Sequence, residues 1–87
     1  MSEAHFISLT LLTRATCALC DHLVLALELM RTRFRFEYTK VDVDSDPVLC
    51  KRFGLRVPIL LDGDTEICAG TCDPTAVVAY LTAIQDK

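Results

Sequence analysis

Two cysteines separated by two residues are the part of this sequence best suited to chemistry. Cys17 and Cys20 follow an apolar, β-branched stretch and open a run of apolar residues at helical spacing, so Cys17 is predicted at or near a helix N-terminus. Unpaired backbone N–H groups and the helix dipole stabilise negative charge there, and the thiolate is the form of cysteine that attacks disulfides. Cys20 lies on nearly the same helix face, where a second thiol can resolve a mixed disulfide formed at Cys17. The spacing therefore predicts a redox dithiol.

The five cysteines also allow other interpretations. Cys68 and Cys72 could complete a four-sulfur zinc site with the first pair, but zinc ribbons keep their pairs much closer in the chain. A c-type haem site needs His directly after the second cysteine, where this sequence has Asp21. An odd number of cysteines argues against a structural disulfide framework in a reducing compartment. We therefore predict no metal site, and packing roles for Cys50 and Cys68.

The elements that must position these cysteines follow from hydrophobic periodicity and turn residues. Strands are predicted at 6–12, 34–43, 57–61 and 65–69, and helices at 17–30, 46–54 and from Asp73-Pro74 onward. Asp62-Gly63 predicts a hairpin between the last two strands, and Gly54 is expected to end the short helix in a left-handed conformation. A right-handed crossover makes the first two strands parallel. The order βαβαββα predicts an α/β domain covering 1–87, with one four-stranded mixed sheet and helices on both faces.

Composition excludes several classes of protein. Hydrophobic residues make up 52% of the chain and charged residues 24%, which fits a packed domain rather than a disordered one. Net charge is −3 and the basic residues are scattered, apart from Arg31, Arg33 and Arg35, so nucleic acid is not an expected partner. The longest apolar runs are too short to cross a bilayer, and the first residues lack the features of a secretory signal. We therefore expect a cytoplasmic protein with no membrane partner.

Three motifs in chain order resemble those of the glutaredoxins, in the thioredoxin superfamily, over nearly the whole chain. They are Arg14-Ala-Thr-Cys17-Ala-Leu-Cys20, Arg56-Val57-Pro58 and Gly70-Thr71-Cys72-Asp73-Pro74. The sequence is most similar to small bacterial glutaredoxin-like proteins whose site reads Cys-X-Leu-Cys followed by an acidic residue. The resemblance implies a thioredoxin fold with sheet order 2-1-3-4.

The resemblance also implies a role for each motif. Pro58 would be a cis-proline facing the cysteine pair, and the backbone of Val57 would pair with a substrate peptide. The backbone of Cys72 and the carboxylate of Asp73 would hold the γ-glutamyl end of glutathione, and Arg14 its glycyl carboxylate. Read from the residues alone, Pro58 can instead begin a strand, Asp73 can be a helix N-cap and Arg14 a solvated loop charge. The fold would bring Cys72 towards Cys17, so its role stays open.

The sequence departs from the glutaredoxin pattern at three positions. Ala18 and Leu19 replace the usual Pro and Tyr between the cysteines, and Arg56 replaces a small polar residue, which alters the charge beside the thiols. We predict a thiol–disulfide oxidoreductase that acts on protein or glutathione disulfides, without a tightly bound cofactor. Glutathione is a possible co-substrate, and the reductant is glutathione-linked or thioredoxin-like. The alternatives are a module that binds a peptide or an iron–sulfur cluster, and a redox-inactive adaptor.

Overall fold

The computed structural model describes residues 7–85, and its elements follow the predicted order. The strands are β1 (Ile7–Thr13), β2 (Phe36–Asp42), β3 (Ile59–Asp62) and β4 (Thr65–Ala69); the α-helices are α1 (Ala18–Met30), α2 (Pro47–Phe53) and α3 (Pro74–Gln85). A single turn of 3-10 helix, Val43–Ser45, joins β2 to α2. Phe6, which was predicted to begin the first strand, and the ends of the predicted 1–87 domain lie outside the described residues.

The four strands form one mixed sheet in the order β2-β1-β3-β4, which confirms the α/β fold class and the thioredoxin topology. β1 pairs in parallel with β2, from Ile7 opposite Phe36 to Thr13 opposite Asp42. β3 is antiparallel to both β1 and β4. Because α1 crosses over between the two parallel strands, the end of β1 leads directly into the start of α1, where the cysteine pair lies.

Hydrophobic clusters cover both faces of the sheet. Alternate residues of β1 point to opposite sides: Leu9 and Leu11 pack with α1 and α3, whereas Leu12 packs with the side of the sheet that α2 covers. Leu27 of α1 and Leu81 of α3 are both fully buried in the first cluster. The predicted arrangement of helices on both faces is confirmed. Within residues 7–85 no helix is long and apolar enough to cross a membrane.

The outer face of α1 differs from the sequence-based expectation. From the sequence, Leu25 and Leu29 widen the apolar face of this helix and predict that it is covered on more than one side, but the two residues are 65% and 73% exposed. The helix packs on the sheet and on α3 through one stripe only, formed by residues such as Leu23 and Leu27. The spacing of leucines along a helix does not show on how many sides the helix is packed. In this structure α1 is packed on one side.

Gly54 is also not the left-handed cap that was predicted. Its φ of −56° is right-handed, so the residue is not there for conformational freedom. A Cβ at this position would come within 2.5 Å of the Cys50 carbonyl oxygen and 2.9 Å of Arg14 Nη2. Gly54 therefore makes room first for the Cys50 carbonyl, which is backbone and cannot move away easily, and then for the end of the Arg14 side chain. The hairpin forms as predicted, but its two-residue loop is Gly63-Asp64, with Gly63 at a φ of 60°.

Candidate functional site

Cys17 is the N-cap of α1, as predicted from the sequence. Its backbone is extended, with φ −143° and ψ 102°, and its Sγ accepts a hydrogen bond of 3.1 Å from the backbone N–H of Cys20. The carbonyl of Cys17 accepts the first helical bond, from the N–H of Asp21 at 3.1 Å. A sulfur thus takes the place that a Ser or Asp oxygen takes in an ordinary cap, at the positive end of the helix dipole.

The two cysteines of this pair have different surroundings. Cys17 is half-buried, whereas Cys20 is only 3% exposed and lies in the first turn of α1. They form a disulfide with a Cα–Cα distance of 5.2 Å, so the structure describes the oxidised pair. An incoming thiol or disulfide can therefore reach the sulfur of Cys17, while Cys20 is accessible mainly to Cys17 itself.

The segment before β3 has the backbone geometry that the resemblance implied. The Val57–Pro58 peptide bond is cis, and Pro58 is fully buried. The neighbouring carbonyls are engaged: Gly70 N–H donates to Pro58 O at 2.8 Å and to Arg56 O at 3.1 Å. Within residues 7–85, the N–H and C=O of Val57 have no hydrogen-bond partner. Val57 thus offers a free donor and acceptor, which is what a bound extended peptide requires.

The two residues expected to hold the γ-glutamyl group already have partners inside the chain. The backbone N–H of Cys72 donates to Gly70 O at 2.7 Å. Asp73 caps α3, since its Oδ1 accepts the N–H of Thr75 at 2.9 Å. The N-cap interpretation of Asp73 is therefore confirmed, and it leaves the second carboxylate oxygen for a ligand. The N–H of Cys72 must leave Gly70 before it can bind one.

Arg14 makes an ion pair that the sequence did not reveal. Its Nε and Nη2 each donate to the Asp44 carboxylate at 3.0 Å, and Nη2 also lies 3.5 Å from Cys50 Sγ. The bond to Asp44 raises the pKa of Arg14, and the same bond to Arg14 lowers the pKa of Asp44. Arg14 is thus a partly exposed loop charge, 34% exposed, but it has a partner that the solvated-loop interpretation did not include. Its charge is matched by Asp44, which lies thirty residues further along the chain.

The remaining charged residue of the motifs, Arg56, is also paired. Its Nη2 donates to both carboxylate oxygens of Glu66 on β4, at 2.7 and 2.8 Å. Both bonds come from one nitrogen, and the Glu66 carboxylate offsets the charge of the Arg56 guanidinium locally. The expectation that Arg56 alters the charge beside the thiols is accordingly weakened. Asp21 and His22, one and two residues after Cys20, are exposed.

Cys68 and Cys72 form a second disulfide, with a Cα–Cα distance of 5.3 Å. The prediction of a packing role for Cys68 was therefore incomplete: its side chain packs against the core and is also bonded to Cys72. Within the part of the chain described, four of the five cysteines are paired and Cys50 is free. The odd count did not exclude disulfides, because two pairs can close without the fifth cysteine.

Two shallow clefts flank the first turns of α1. The first, which we call the arginine cleft, has a volume of about 250 Å³ and is lined by Arg14, Cys20 and Asp21 among others. The second, the Cys72 cleft, has a volume of about 170 Å³ and lies between Leu19 and Leu23 of α1 and the loop at Cys72. The fold thus brings Arg14 and Cys72 to opposite sides of the cysteine helix. Within residues 7–85, no group of three or more His, Cys, Asp or Glu side chains is arranged to hold a metal ion.

A four-stranded sheet of order 2-1-3-4, a cysteine pair at the start of α1 and a buried cis-proline before β3 define a glutaredoxin-like protein of the thioredoxin superfamily. The chain belongs to the family described as Glutaredoxin-like domain (DUF836), which matches residues 8–82.

Solved structures agree with this assignment. A structural genomics target from X. campestris, XcR50, is 36% identical with a TM-score of 0.72, and the match covers 86% of this chain and 96% of that one. Protein Ne2328 from Nitrosomonas europaea is 25% identical with a TM-score of 0.79, covering 93% and 98%. A mutant thioredoxin from Halobacterium salinarum, 21% identical with a TM-score of 0.65, shares the fold over 91% of this chain and 74% of its own. No curated protein matches the sequence.

Proposed function

We propose that this protein is a thiol–disulfide oxidoreductase in which Cys17 is the nucleophile and Cys20 the resolving thiol. The observation that supports this most directly is the cap: the Cys20 N–H donates to Cys17 Sγ at 3.1 Å, at the end of a helix whose dipole favours an anion. In the reduced protein the same N–H stabilises the Cys17 thiolate. The burial of Cys20 favours its neutral thiol, so the two residues differ in the way the reaction needs.

The reaction follows from this difference. The Cys17 thiolate attacks one sulfur of a substrate disulfide, forming a mixed disulfide and releasing the other substrate sulfur, which takes up a proton. Cys20 then loses its proton and attacks Cys17 Sγ, which breaks the mixed disulfide and releases the second substrate thiol. The substrate gains two electrons, and the protein is left with the Cys17–Cys20 disulfide. A glutathione-linked or thioredoxin-like reductant restores the dithiol, and no tightly bound cofactor takes part.

The surroundings of the pair favour protein disulfides as substrates. The free N–H and C=O of Val57 can pair with an extended peptide without any rearrangement. Glutathione, by contrast, requires Arg14 to share its charge with Asp44 and Cys72 to release its N–H from Gly70. Glutathione remains a proposed co-substrate, bound by Arg14, Cys72 and Asp73. We further propose that the protein acts in the cytoplasm, where thiol reductants keep such a dithiol reduced.

Reduction of a peptide disulfide, followed with single-cysteine variants, tests the proposal. Cys17→Ser should abolish the reaction, because no thiolate remains at the helix N-terminus. Cys20→Ser should accumulate the mixed disulfide at Cys17, which intact-protein mass spectrometry detects as the added mass of one substrate half. Cys50→Ser is the matched control and should keep the wild-type rate, since Cys50 is outside both disulfides. The wild-type pair should have a midpoint potential of about −170 to −270 mV, the range of related dithiols.

Three outcomes would overturn the assignment. Turnover that survives Cys17→Ser would place the nucleophile elsewhere. Absence of turnover in the wild-type protein, together with visible absorbance after anaerobic purification, would favour the iron–sulfur-binding module. A wild-type protein with neither turnover nor visible absorbance would favour the redox-inactive adaptor.

A further inference from the structure

The second disulfide lies beside the proposed active site and has no role in the mechanism above. Cys68 is in β4 and Cys72 is in the loop that leads into α3, and both are half-buried. Cys72 Sγ lies 4.0 Å from the carbonyl oxygen of Pro58, the cis-proline of the site. Cys72 also lines the Cys72 cleft opposite Leu19, which is between the two cysteines of α1. The second pair therefore lies at the rim of the site, within reach of solvent.

The loop between these cysteines is held in place by backbone hydrogen bonds as well as by the disulfide. Gly70 N–H donates to Pro58 O and Arg56 O, and Cys72 N–H donates to Gly70 O. Gly70 has a φ of 69°, so the turn itself uses a residue suited to it. A bond between residues only four apart closes a short loop, and it therefore constrains the unfolded chain less than a long-range disulfide would. Opening the bond leaves the turn's hydrogen bonds available, so little of the fold depends on its oxidation state.

We infer that Cys68 and Cys72 are a second redox-active couple of this protein, which exchanges two electrons with small monothiols at the rim of the Cys72 cleft. In the reductive direction a monothiolate attacks one sulfur of the Cys68–Cys72 disulfide, forming a mixed disulfide and releasing the other cysteine, which takes up a proton. A second monothiolate attacks the sulfur of the bound monothiol, forming the small-molecule disulfide and releasing the remaining cysteine. Two monothiols lose two protons and two electrons, and the cysteine pair gains them. The chain then carries four exchangeable electrons rather than two.

The distribution of trypsin sites allows each cysteine environment to be followed separately. Cleavage after Arg and Lys separates the cysteines into three peptides. Peptide 15–31 contains Cys17 and Cys20, peptide 41–51 contains Cys50, and peptide 57–87 contains Cys68 and Cys72. The native full-length protein is equilibrated in mixtures of reduced and oxidised glutathione of increasing reducing strength. Free thiols are then trapped by acid and alkylated under denaturing conditions before digestion. Mass spectrometry reports how many alkyl groups each peptide carries.

Peptide 57–87 is expected to change from no alkyl groups to two in a single step within the range of these mixtures. The single-alkyl form should stay minor, because the two thiols react as a pair. Peptide 41–51 is the internal reference, because its cysteine, Cys50, is not in a disulfide. The double variant Cys17→Ser/Cys20→Ser should keep the transition of peptide 57–87, so the inference is tested separately from the proposed function. Circular dichroism of this variant checks that it folds.

Three results would overturn the inference. Peptide 57–87 could stay without alkyl groups at every mixture and open only in denaturant, which would make the bond structural. It could carry two alkyl groups at every mixture, which would mean that the pair does not oxidise under these conditions. Loss of the transition in the folded double variant would show that the second pair does not exchange directly with the monothiol.

Discussion

Alkylation of the reduced protein should distinguish Cys17 from Cys20 by rate. The perturbation is reduction of both disulfides, followed by a brief exposure to iodoacetamide near pH 7. In the reduced state Cys17 keeps the N-cap position, where the Cys20 N–H is placed 3.1 Å from its sulfur. Cys20 is 3% exposed and lies inside the first turn. The structure thus predicts that Cys17 reacts first.

The size of the difference can be worked out from these contacts. A hydrogen bond to a charged group is worth about 1.5–3 kcal/mol, and a partly exposed helix terminus adds about 0.5 kcal/mol. Taking the lower end gives about 2 kcal/mol, a factor of about thirty in the thiol–thiolate equilibrium, which near pH 7 is about fifteen times more thiolate at Cys17 than at a free thiol. Stabilised thiolates are weaker nucleophiles, by a factor of about five for a change of this size, which leaves a net factor of about three. Burial of Cys20 acts in the same direction, so we expect a ratio of about three or more.

The assay uses two isotopic forms of the reagent, one in the brief native exposure and one after denaturation. Peptide 15–31 contains both cysteines, and its fragmentation spectrum assigns the first label to one or the other. Cys50 in peptide 41–51 serves as the internal reference, because it belongs to the same molecule but not to the α1 terminus. Equal rates for the two cysteines, or a faster Cys20, would refute the assignment of roles. That result would favour the peptide-binding or cluster-binding alternative.

Three further results are expected. Leu27→Ala should lower the free energy of unfolding by roughly 2–5 kcal/mol in denaturant titrations, since Leu27 is fully buried, whereas Leu25→Ala on the same helix should change it by less than about 0.5 kcal/mol. Asp44→Asn should release Arg14 and tighten glutathione binding, measured by calorimetry. Burial and the hydrogen bond to Glu28 raise the pKa of Tyr38 to about 12, so stability should be lost as pH rises from about 10, the unfolded value, towards 12.

A similar loss for Leu25→Ala and Leu27→Ala would contradict the burial of one side of α1 only. Asp64→Asn changes the net charge equally at the hairpin, away from Arg14, so equal tightening by both Asn variants would show a general charge effect. For Tyr38, the absorbance of tyrosinate follows ionisation directly, and Tyr38→Phe should remove the later of the two tyrosine steps. Loss of the earlier step instead of the later one in that variant would contradict the assignment of the raised pKa.

Local patterns were enough to predict most of the fold. The proline-after-aspartate pairs at 46–47 and 73–74 mark helix starts because a capping carboxylate and a residue without an N–H both suit the first turn. The structure has both caps, with Asp46 accepting from Val48 and Asp73 from Thr75. The boundaries were less predictable. β2 begins at Phe36 rather than at residue 34, because the N–H of Phe34 still bonds to Met30 at the end of α1.

The site was predictable only where it depends on neighbours in sequence. The cap at Cys17 follows from a three-residue spacing, and such spacings fix which groups share a helix turn. The Arg14–Asp44 pair joins the end of β1 to the 3-10 turn after β2, and these positions become neighbours only when the two strands align in parallel. Gly54 shows the opposite case, in which a local pattern predicts a conformation that the residue does not have. Glycine at this position suggests a left-handed turn, yet the space is limited by the Cys50 carbonyl at the end of α2 and by the Arg14 guanidinium from the end of β1.

The second cysteine pair shows how these two kinds of information combine. A spacing of four places Cys68 and Cys72 near one another only if the chain turns between them, and Gly70 with its positive φ makes that turn. This turn is fixed by Pro58 and Arg56, whose carbonyl oxygens accept hydrogen bonds from the Gly70 N–H. The cis-proline segment therefore does two things: it leaves the backbone N–H and C=O of Val57 free, and it anchors the loop that closes the second pair. A change in that segment should loosen the loop that closes the second pair, because the Gly70 N–H bonds to two of its carbonyls, whereas the first pair is held by the bonds of the α1 cap.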